Sequence, residues 1–419
     1  MAILIKIIEV LQIILILVTN VFWLYQFVIG IAALVKIKEK PLKVDKKHRF
    51  MIVIPAHNEE AVVGNLVDSI MKIEYPKDLY DTYVIADNST DKTKEVAQEH
   101  GAIVYERNDL TKKTKGFALD WFLTKIMPTL EKKYDAMIVF DADNIVDSEF
   151  LKHMNISLCQ GEKVVQGYRD IKNPTDSWVS GGYAIYYWMM HRFFHLARYN
   201  MGLSPLLNGT AFMVNMELIK EKGWNTKTLT EDIEYSLLTV IEGQKLGWQR
   251  KAIVYDEQPT GFVQSWKQRE RWTTGHIQCL RAYTKDLAKA TARWKTMTNF
   301  DMLLYILGVP MFLVAIVLVS LNFALYFLGQ MGKTDLFINV LLYFFTIVIM
   351  PLLGAILTVI IEKKSFKKLW KGILGFPVFM LSWIMINIKV IFKPTKAWEK
   401  IEHSVSRSID EMEDHGGNK

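Results

Sequence analysis

Three clusters of side chains in this chain have types and spacings that chemistry can use. Asp141-Ala142-Asp143 follows the apolar run 136–140. Side chains two residues apart on extended chain point the same way, so two carboxylates can reach one cation. A hard divalent ion held by one or two carboxylates also takes substrate phosphates, and its charge suits a departing diphosphate. Thr230-Glu231-Asp232 opens a run of helical spacing that reaches Glu242. It fits an ordinary helix cap with a favourable dipole, and it also offers Asp232 as a general base for an acceptor hydroxyl. Gln268-Arg269-Glu270-Arg271-Trp272 puts Gln268, Arg271 and Trp272 on one helical face. A guanidinium fork grips a diphosphate and an indole covers a sugar ring; taken singly, the same residues fit an interfacial helix.

The elements that must position these groups alternate. Residues 50–55 form a short apolar run ending in Pro55, as a buried strand does. Residues 61–73 have helical spacing, 82–87 read as a second strand ending in Asp87, 90–101 as a helix stopped by glycine, and 102–105 and 136–140 as further strands. Alternating strand and helix predicts an α/β fold with a parallel sheet covered on both faces and ligands at the carboxyl ends of its strands. Asp87 and Asp141 fall at such ends. Asn208-Gly209-Thr210 is a turn by its glycine chemistry.

The 419 residues are 51% apolar and 23% charged, with a mean hydropathy of +0.12, which divides the chain between bilayer and water. Its net charge of +7 sits largely beside hydrophobic segments, where the positive-inside rule accounts for it. No nucleic-acid module accompanies it, so nucleic acid is excluded as a partner. Two cysteines, Cys159 and Cys279, make neither a disulfide framework nor a zinc site and fit a reducing compartment. Residues 7–35 are long and apolar enough to span, and Lys36, Lys38, Lys40, Lys43, Lys46, Lys47 and Arg49 follow. That order puts the N-terminus outside and the next domain in the cytoplasm. Residues 300–328, 336–361 and 373–392 are three further candidate spans, with a basic interfacial helix start at 362–371. The aromatic stretches 178–199 and 262–294 suit either a core or a membrane surface. Four spans that start outside end outside, yet Lys389, Lys393, Lys396 and Lys400 favour the cytoplasm; Gly375 and Pro377 would allow a re-entrant last segment.

In this order and between hydrophobic segments, the three motifs resemble those of the processive, inverting family 2 glycosyltransferases, the cellulose, hyaluronan and poly-N-acetylglucosamine synthases. The resemblance covers residues 50–294 and the membrane layout, and is closest to the cellulose-synthase-like glucan synthases. It implies a transmembrane helix over 1–35, a GT-A-type cytoplasmic domain over 50–260, interfacial helices over 261–298, a membrane region over 299–392 and a polar tail over 393–419. Carried over by position, Pro55, Asn58, Glu59, Asp87, Lys115, Asp141, Gln268, Arg271 and Trp272 bind the nucleotide sugar, and Asp143 with Asp141 holds Mg2+ or Mn2+. Asp232 is the base, and Asn208, Gly209, Thr210, Glu231 and Trp272 meet the acceptor. Trp248 and Trp294 suit either sugar stacking or burial, and 392–398 resembles a gating segment. The implied reaction is a single displacement that makes a β-linked product at the plasma membrane. A β-glucan from UDP-glucose leads; an N-acetylglucosamine polymer and a single transfer to a lipid-linked acceptor are the alternatives. The implied partners are the UDP-sugar, the growing polysaccharide, the bilayer and accessory export proteins. The chain departs from the resemblance in showing one N-terminal span, where several members have two or more, and no cyclic-dinucleotide module.

Overall fold

A computed structural model describes residues 2–35, 44, 46–294 and 296–395. Lys36, Lys38, Lys40, Lys43, Lys396, Lys400, Trp398 and the side chain of Trp294 lie outside the described residues. One sheet of eight strands organises the globular part: β1 (Phe50–Ala56), β2 (Tyr80–Asp87), β3 (Ile103–Arg107), β4 (Ala136–Val139), β5 (Ile145–Val146), β6 (Val164–Ile171), β7 (Phe212–Asn215) and β8 (Gly247–Asp256). They lie in the order β3-β2-β1-β4-β7-β6-β8-β5. The four strands expected from sequence pair in parallel, β3 with β2, β2 with β1 and β1 with β4. The sheet as a whole is mixed rather than parallel, because β7 runs antiparallel to both β4 and β6, and β5 to β8.

Period-two alternation explains why both faces are dry. Phe50, Ile52 and Ile54 of β1 point into a core with Leu66, Val67 and Ile70, from the helix Val63–Met71. Met51 and Val53 point the other way, against Ala118, Leu119 and Phe122. These strand side chains are fully buried, and truncating such a residue to alanine costs about 2–5 kcal/mol.

Among the described residues, four helices are long and apolar enough to cross a membrane: Ile3–Leu34, Gly308–Phe327, Lys333–Ile361 and Phe366–Phe392. The stretch 300–328 is not one span. It breaks at Leu307, and the first part, Met297–Ile306, buries Asn299, Asp301 and Met302 in the protein. Asp301 accepts from Arg198 Nε at 2.8 Å and from the Tyr25 hydroxyl at 3.1 Å, which ties that part to the first long helix.

The basic segment 362–371 does contain a helix start: its residues from Phe366 open the continuous helix Phe366–Phe392. At 27 residues that helix is about 40 Å long, and it is fastened to the globular part along its length. Lys364 pairs with Asp170 at 3.0 Å just before it starts. Gly372 meets Gly181 backbone to backbone, and the Phe379 ring stands 5.0 Å from Tyr183. Lys389, near its end, pairs with Glu270 at 2.8 Å. Parts of both aromatic stretches pack on it: the helices Trp178–Met189 and Phe262–Trp294 bury aromatic side chains against this last helix.

Candidate active site

The site forms where the strand ends meet. Each parallel strand stops at a polar loop, and two asparagines at positive φ, Asn58 and Asn88, bind those loops together. Asparagine tolerates this conformation better than most residues. Asn58 Oδ1 accepts the Thr90 N–H at 2.7 Å, joining the β1 loop to the β2 loop, and Asn88 Oδ1 accepts the Asp109 N–H at 2.8 Å, joining β2 to β3. Asp87, at the end of β2, accepts from Arg107 Nη1 at 2.5 Å. Burial pushes its carboxyl above the usual range, against the pull of Arg107.

Asp141 follows β4, and its backbone N–H is held by the Thr210 hydroxyl at 2.9 Å. Thr210 is fully buried and lies behind the Asp141 backbone, so it supports Asp141 rather than facing the acceptor. Asn208 and Gly209 do line the central cavity. Gln166 of β6 grips this turn from both sides, accepting the Asn208 N–H at 2.9 Å and donating to the Thr210 carbonyl at 2.9 Å. Gly209 has φ +93°, and a Cβ there would lie 3.7 Å from Asp232 Oδ2 and 3.9 Å from both Asp141 Oδ2 and Arg169 Nη1. Asp141, Asp232 and Arg169 therefore converge on one glycine. The Asn208 carboxamide is buried, and neither its oxygen nor its nitrogen has a hydrogen-bond partner among the described residues.

Lys115 Nζ donates to Asp141 Oδ1 at 2.5 Å and to the Gly209 carbonyl at 2.6 Å, and stands 4.0 Å from Glu231. Those carboxylates raise the lysine above its ordinary value despite the opposing effect of burial. Glu231 and Asp232 begin the helix Glu231–Ile241. The Thr230 side chain makes no cap bond there; instead Thr230 lies against Gly275, where a Cβ would come 2.5 Å from its side chain. Burial pushes both carboxyls up, Glu231 to about 7, while Lys115 and Arg271 pull them down.

Gln268, Arg271 and Trp272 line the cavity together, as their spacing implied. Arg271 Nη1 donates to the Leu229 carbonyl at 3.2 Å, next to the acidic turn. The intervening Arg269 is buried and points away, donating to Ser382 Oγ at 2.6 Å and the Phe379 carbonyl at 3.1 Å on the last long helix. Pro55, Asn58, Glu59, Asp87, Lys115, Asp141, Asp143, Glu231 and Asp232 line the same cavity. Trp248 does not: it is buried with its ring stacked 6.3 Å from His191.

Sequence reasoning missed Arg169 and Asp256. Arg169 donates to the Asn208 carbonyl at 2.9 Å and, through Nε, to Asp256 at 2.8 Å. Asp256 also accepts from Asn144 Nδ2 at 2.7 Å, next to Asp143, and burial raises its carboxyl. Both residues sit on strands β6 and β8, which carry no motif; the missed signal was the strand pattern itself. Among the described residues, no three His, Cys, Asp or Glu side chains are grouped to hold a metal. Asp141 and Asp143 both line the cavity, but the chain turns between them rather than running extended, with the Asn144 N–H donating to the Asp141 carbonyl at 3.1 Å; two carboxylates are a set that a divalent ion sharing phosphate oxygens can use.

Residues 48–275 match the model described as Glycosyltransferase like family 2. The chain belongs to that family. Among curated relatives of this family 2 chain, the β-monoglucosyldiacylglycerol synthase of Nostoc sp. is 30% identical over 67% of the chain and 60% of the relative's length. A poly-β-1,6-N-acetyl-D-glucosamine synthase of Staphylococcus epidermidis is 23% identical over 89% of this chain and 90% of that one. The chain thus spans about 60% of the first curated relatives it matches. A mannosyltransferase of Pyrobaculum calidifontis, solved with GDP-Man and Mn2+, superposes with a TM-score of 0.60 at 15% identity, covering 91% of this chain and 99% of that one. The fold is GT-A, with a mixed sheet flanked by apolar helices.

Proposed function

We propose that this family 2 chain transfers a hexose from a UDP-sugar, with inversion, to an acceptor hydroxyl at the membrane. In the leading reading, repeated transfer from UDP-glucose extends a β-glucan. The convergence of Asp232, Asp141 and Arg169 on Gly209 carries this reading. Asp232 takes the proton as the hydroxyl oxygen attacks the anomeric carbon, and the bond to the diphosphate breaks with its electron pair on the leaving oxygen. Asp141 and Asp143 hold Mg2+ or Mn2+, which supplies positive charge to the diphosphate when bound. Arg271 and Lys115 add donors on the same side, and Asp87 with Arg107 bounds the base end of the nucleotide pocket. Extension into a polymer, and its passage across the bilayer, draw support from the Gln268–Trp272 motif on the cavity wall and from likeness to the poly-N-acetylglucosamine synthases. A cytoplasmic face for the domain follows from Lys46, Lys47 and Arg49 after the first apolar helix.

The test gives membranes carrying the chain labelled UDP-glucose, UDP-N-acetylglucosamine or GDP-mannose, then digests the product with glycosidases of known linkage. A product from UDP-glucose cleaved by β-glucosidases is expected. Label incorporated from another donor alone would move the reading to a different polymer, and an α-linked product would overturn inversion.

A further inference from the structure

The histidines His191 and His195 are fully buried outside the cavity that holds the carboxylates, and no step of the proposed transfer uses them. They belong to the helix that begins as Trp178–Met189 and widens to a π-turn over Met190–Leu196. A π-turn closes i→i+5 hydrogen bonds, holds more residues per turn, and recurs at functional sites. Here the helix presents Tyr187, His191 and His195, four residues apart, to strands β6 and β8.

Strand β6 has an edge there that needs a partner. β7 pairs with it only at 164–166, and the register on the β8 side shifts between Gly167 and Tyr168. Beyond that point the Arg169 backbone meets His191, whose Nε2 lies 3.3 Å from the Arg169 nitrogen and 3.0 Å from its carbonyl oxygen. Burial pushes the His191 ring down to about 3 and His195 well below its ordinary value, so both are neutral and carry one N–H each. Their Nδ1 atoms are 3.0 Å apart. One arrangement satisfies the shorter contacts: His195 Nδ1–H donates to His191 Nδ1, and His191 Nε2–H donates to the Arg169 carbonyl. It leaves a ring lone pair at His195 Nε2, rather than a buried N–H, without a partner among the described residues. Tyr168 and Trp248 pack the His191 ring at 4.6 and 6.3 Å between centroids.

The same helix supports the other end of Arg169. The Tyr187 ring centroid lies 4.5 Å from the guanidinium carbon, within cation–π range. Asp256 takes Nε and Nη2, and the Asn208 carbonyl takes Nη1. A guanidinium has five N–H donors, so one hydrogen on each Nη remains for a ligand. Arg169 lines the cavity, and the point 3.9 Å from its Nη1, where a Cβ on Gly209 would sit, is also 3.7 Å from Asp232 Oδ2.

We infer that Arg169 is a substrate-binding residue, donating to a sugar hydroxyl beside Asp232, and that Tyr187 and His191 are the positioning residues that hold it there. The inference rests on the transferase reading above and adds a contact to its site. A guanidinium already held at backbone and fork loses little further freedom when substrate arrives.

The test measures transfer by membranes carrying the full chain with labelled UDP-glucose, UDP-N-acetylglucosamine or GDP-mannose. The same chain in nanodiscs gives UDP affinity by calorimetry and hydrogen exchange over 167–171 by mass spectrometry. His191→Leu should lower kcat about tenfold or more while the donor KM and UDP affinity stay near those of the parent. His191→Gln, which can still donate to the carbonyl, should recover most of that loss. Exchange over 167–171 should quicken in His191→Leu and stay near the parent in His191→Gln. Tyr187→Leu removes the ring under the guanidinium and should lower kcat in the same way. In an Arg169→Lys background, neither leucine variant should lower kcat by more than about threefold further. Losses that add in that background, a His191→Leu loss that glutamine does not recover, or exchange unchanged in His191→Leu would overturn the positioning while the transferase reading stands. A parent chain that transfers from none of the three donors would overturn that reading and the role of Arg169 with it, and the exchange comparison would then decide the histidine contact by itself.

Discussion

Lys115 Nζ donates at once to Asp141 Oδ1, at 2.5 Å, and to the Gly209 carbonyl, at 2.6 Å. One ammonium therefore couples the carboxylate after β4 to the turn on which Asp232 and Arg169 converge. Lys115→Met removes that link and leaves Asp141 facing Glu231 and Asp232 with less positive charge. UDP-sugar affinity is expected to fall about tenfold or more, with a smaller change in melting temperature because Asp141 is 34% exposed. Calorimetry with UDP checks it, and unchanged affinity would show that the lysine serves the fold alone.

The Asp87–Arg107 pair is more deeply buried, at 11% and 4% side-chain exposure. Asp87→Ala leaves the buried guanidinium at the end of β3 with only Asp109, at 3.3 Å, and the Lys112 carbonyl, at 2.9 Å; breaking a buried pair from one side costs up to about 3–5 kcal/mol. Thermal unfolding should show a large loss, and Asp87→Ala combined with Arg107→Met should recover part of it. A double variant as unstable as the sum of the singles would mean the pair is not coupled.

Burial raises the Asp232 carboxyl and lifts Glu231 to about 7. A base must be deprotonated to act, so kcat should fall as pH drops through these raised values. The limb belongs to the interacting pair and lies above the ordinary carboxylate value of about 4. The stability sign is opposite: the folded state holds these protons more tightly than the unfolded one, so their contribution is lost as pH rises through the same window. A pH–rate profile whose acid limb sits near the ordinary carboxylate value would contradict the pairing.

Lys364–Asp170 and Lys389–Glu270 fasten both ends of the last long helix to the globular part. The chain after it is therefore expected on the same face of the membrane as the sheet. In a background lacking Cys159 and Cys279, Lys393→Cys should react with an impermeant reagent from the same side as Lys92→Cys, and Gln330→Cys from the other. Labelling of Lys393→Cys from the Gln330 side would mean that this helix crosses.

Much of this was legible in the sequence. The first four strands, the helices between them and the cavity-facing Asp87, Asp141, Asp232, Gln268, Arg271 and Trp272 follow from periodicity and motif spacing, because local pattern and tertiary position agree there. Thr210 was misread because a turn motif does not say which of its side chains turns inward. Arg169 and Asp256 were invisible for a different reason. Strands β6 and β8 pair in parallel across more than 80 residues of sequence, from Val165 with Gly247 to Ile171 with Asp256, and that pairing brings the two residues together. The break at Leu307 was hidden because the residues just before it, 302–306, are all apolar and run straight into the apolar helix after them, although Met297–Ile306 carries Asn299 and Asp301 and packs on protein.

The most direct measurement is transfer by Asp232→Asn, made beside UDP binding by the same preparation. Removing the base should lower turnover about 10²–10⁴-fold while UDP affinity and melting temperature stay near those of the parent chain. Turnover within a factor of about three of the parent, at equal UDP affinity, would show that the acceptor proton goes elsewhere and that Asp232 is not the base.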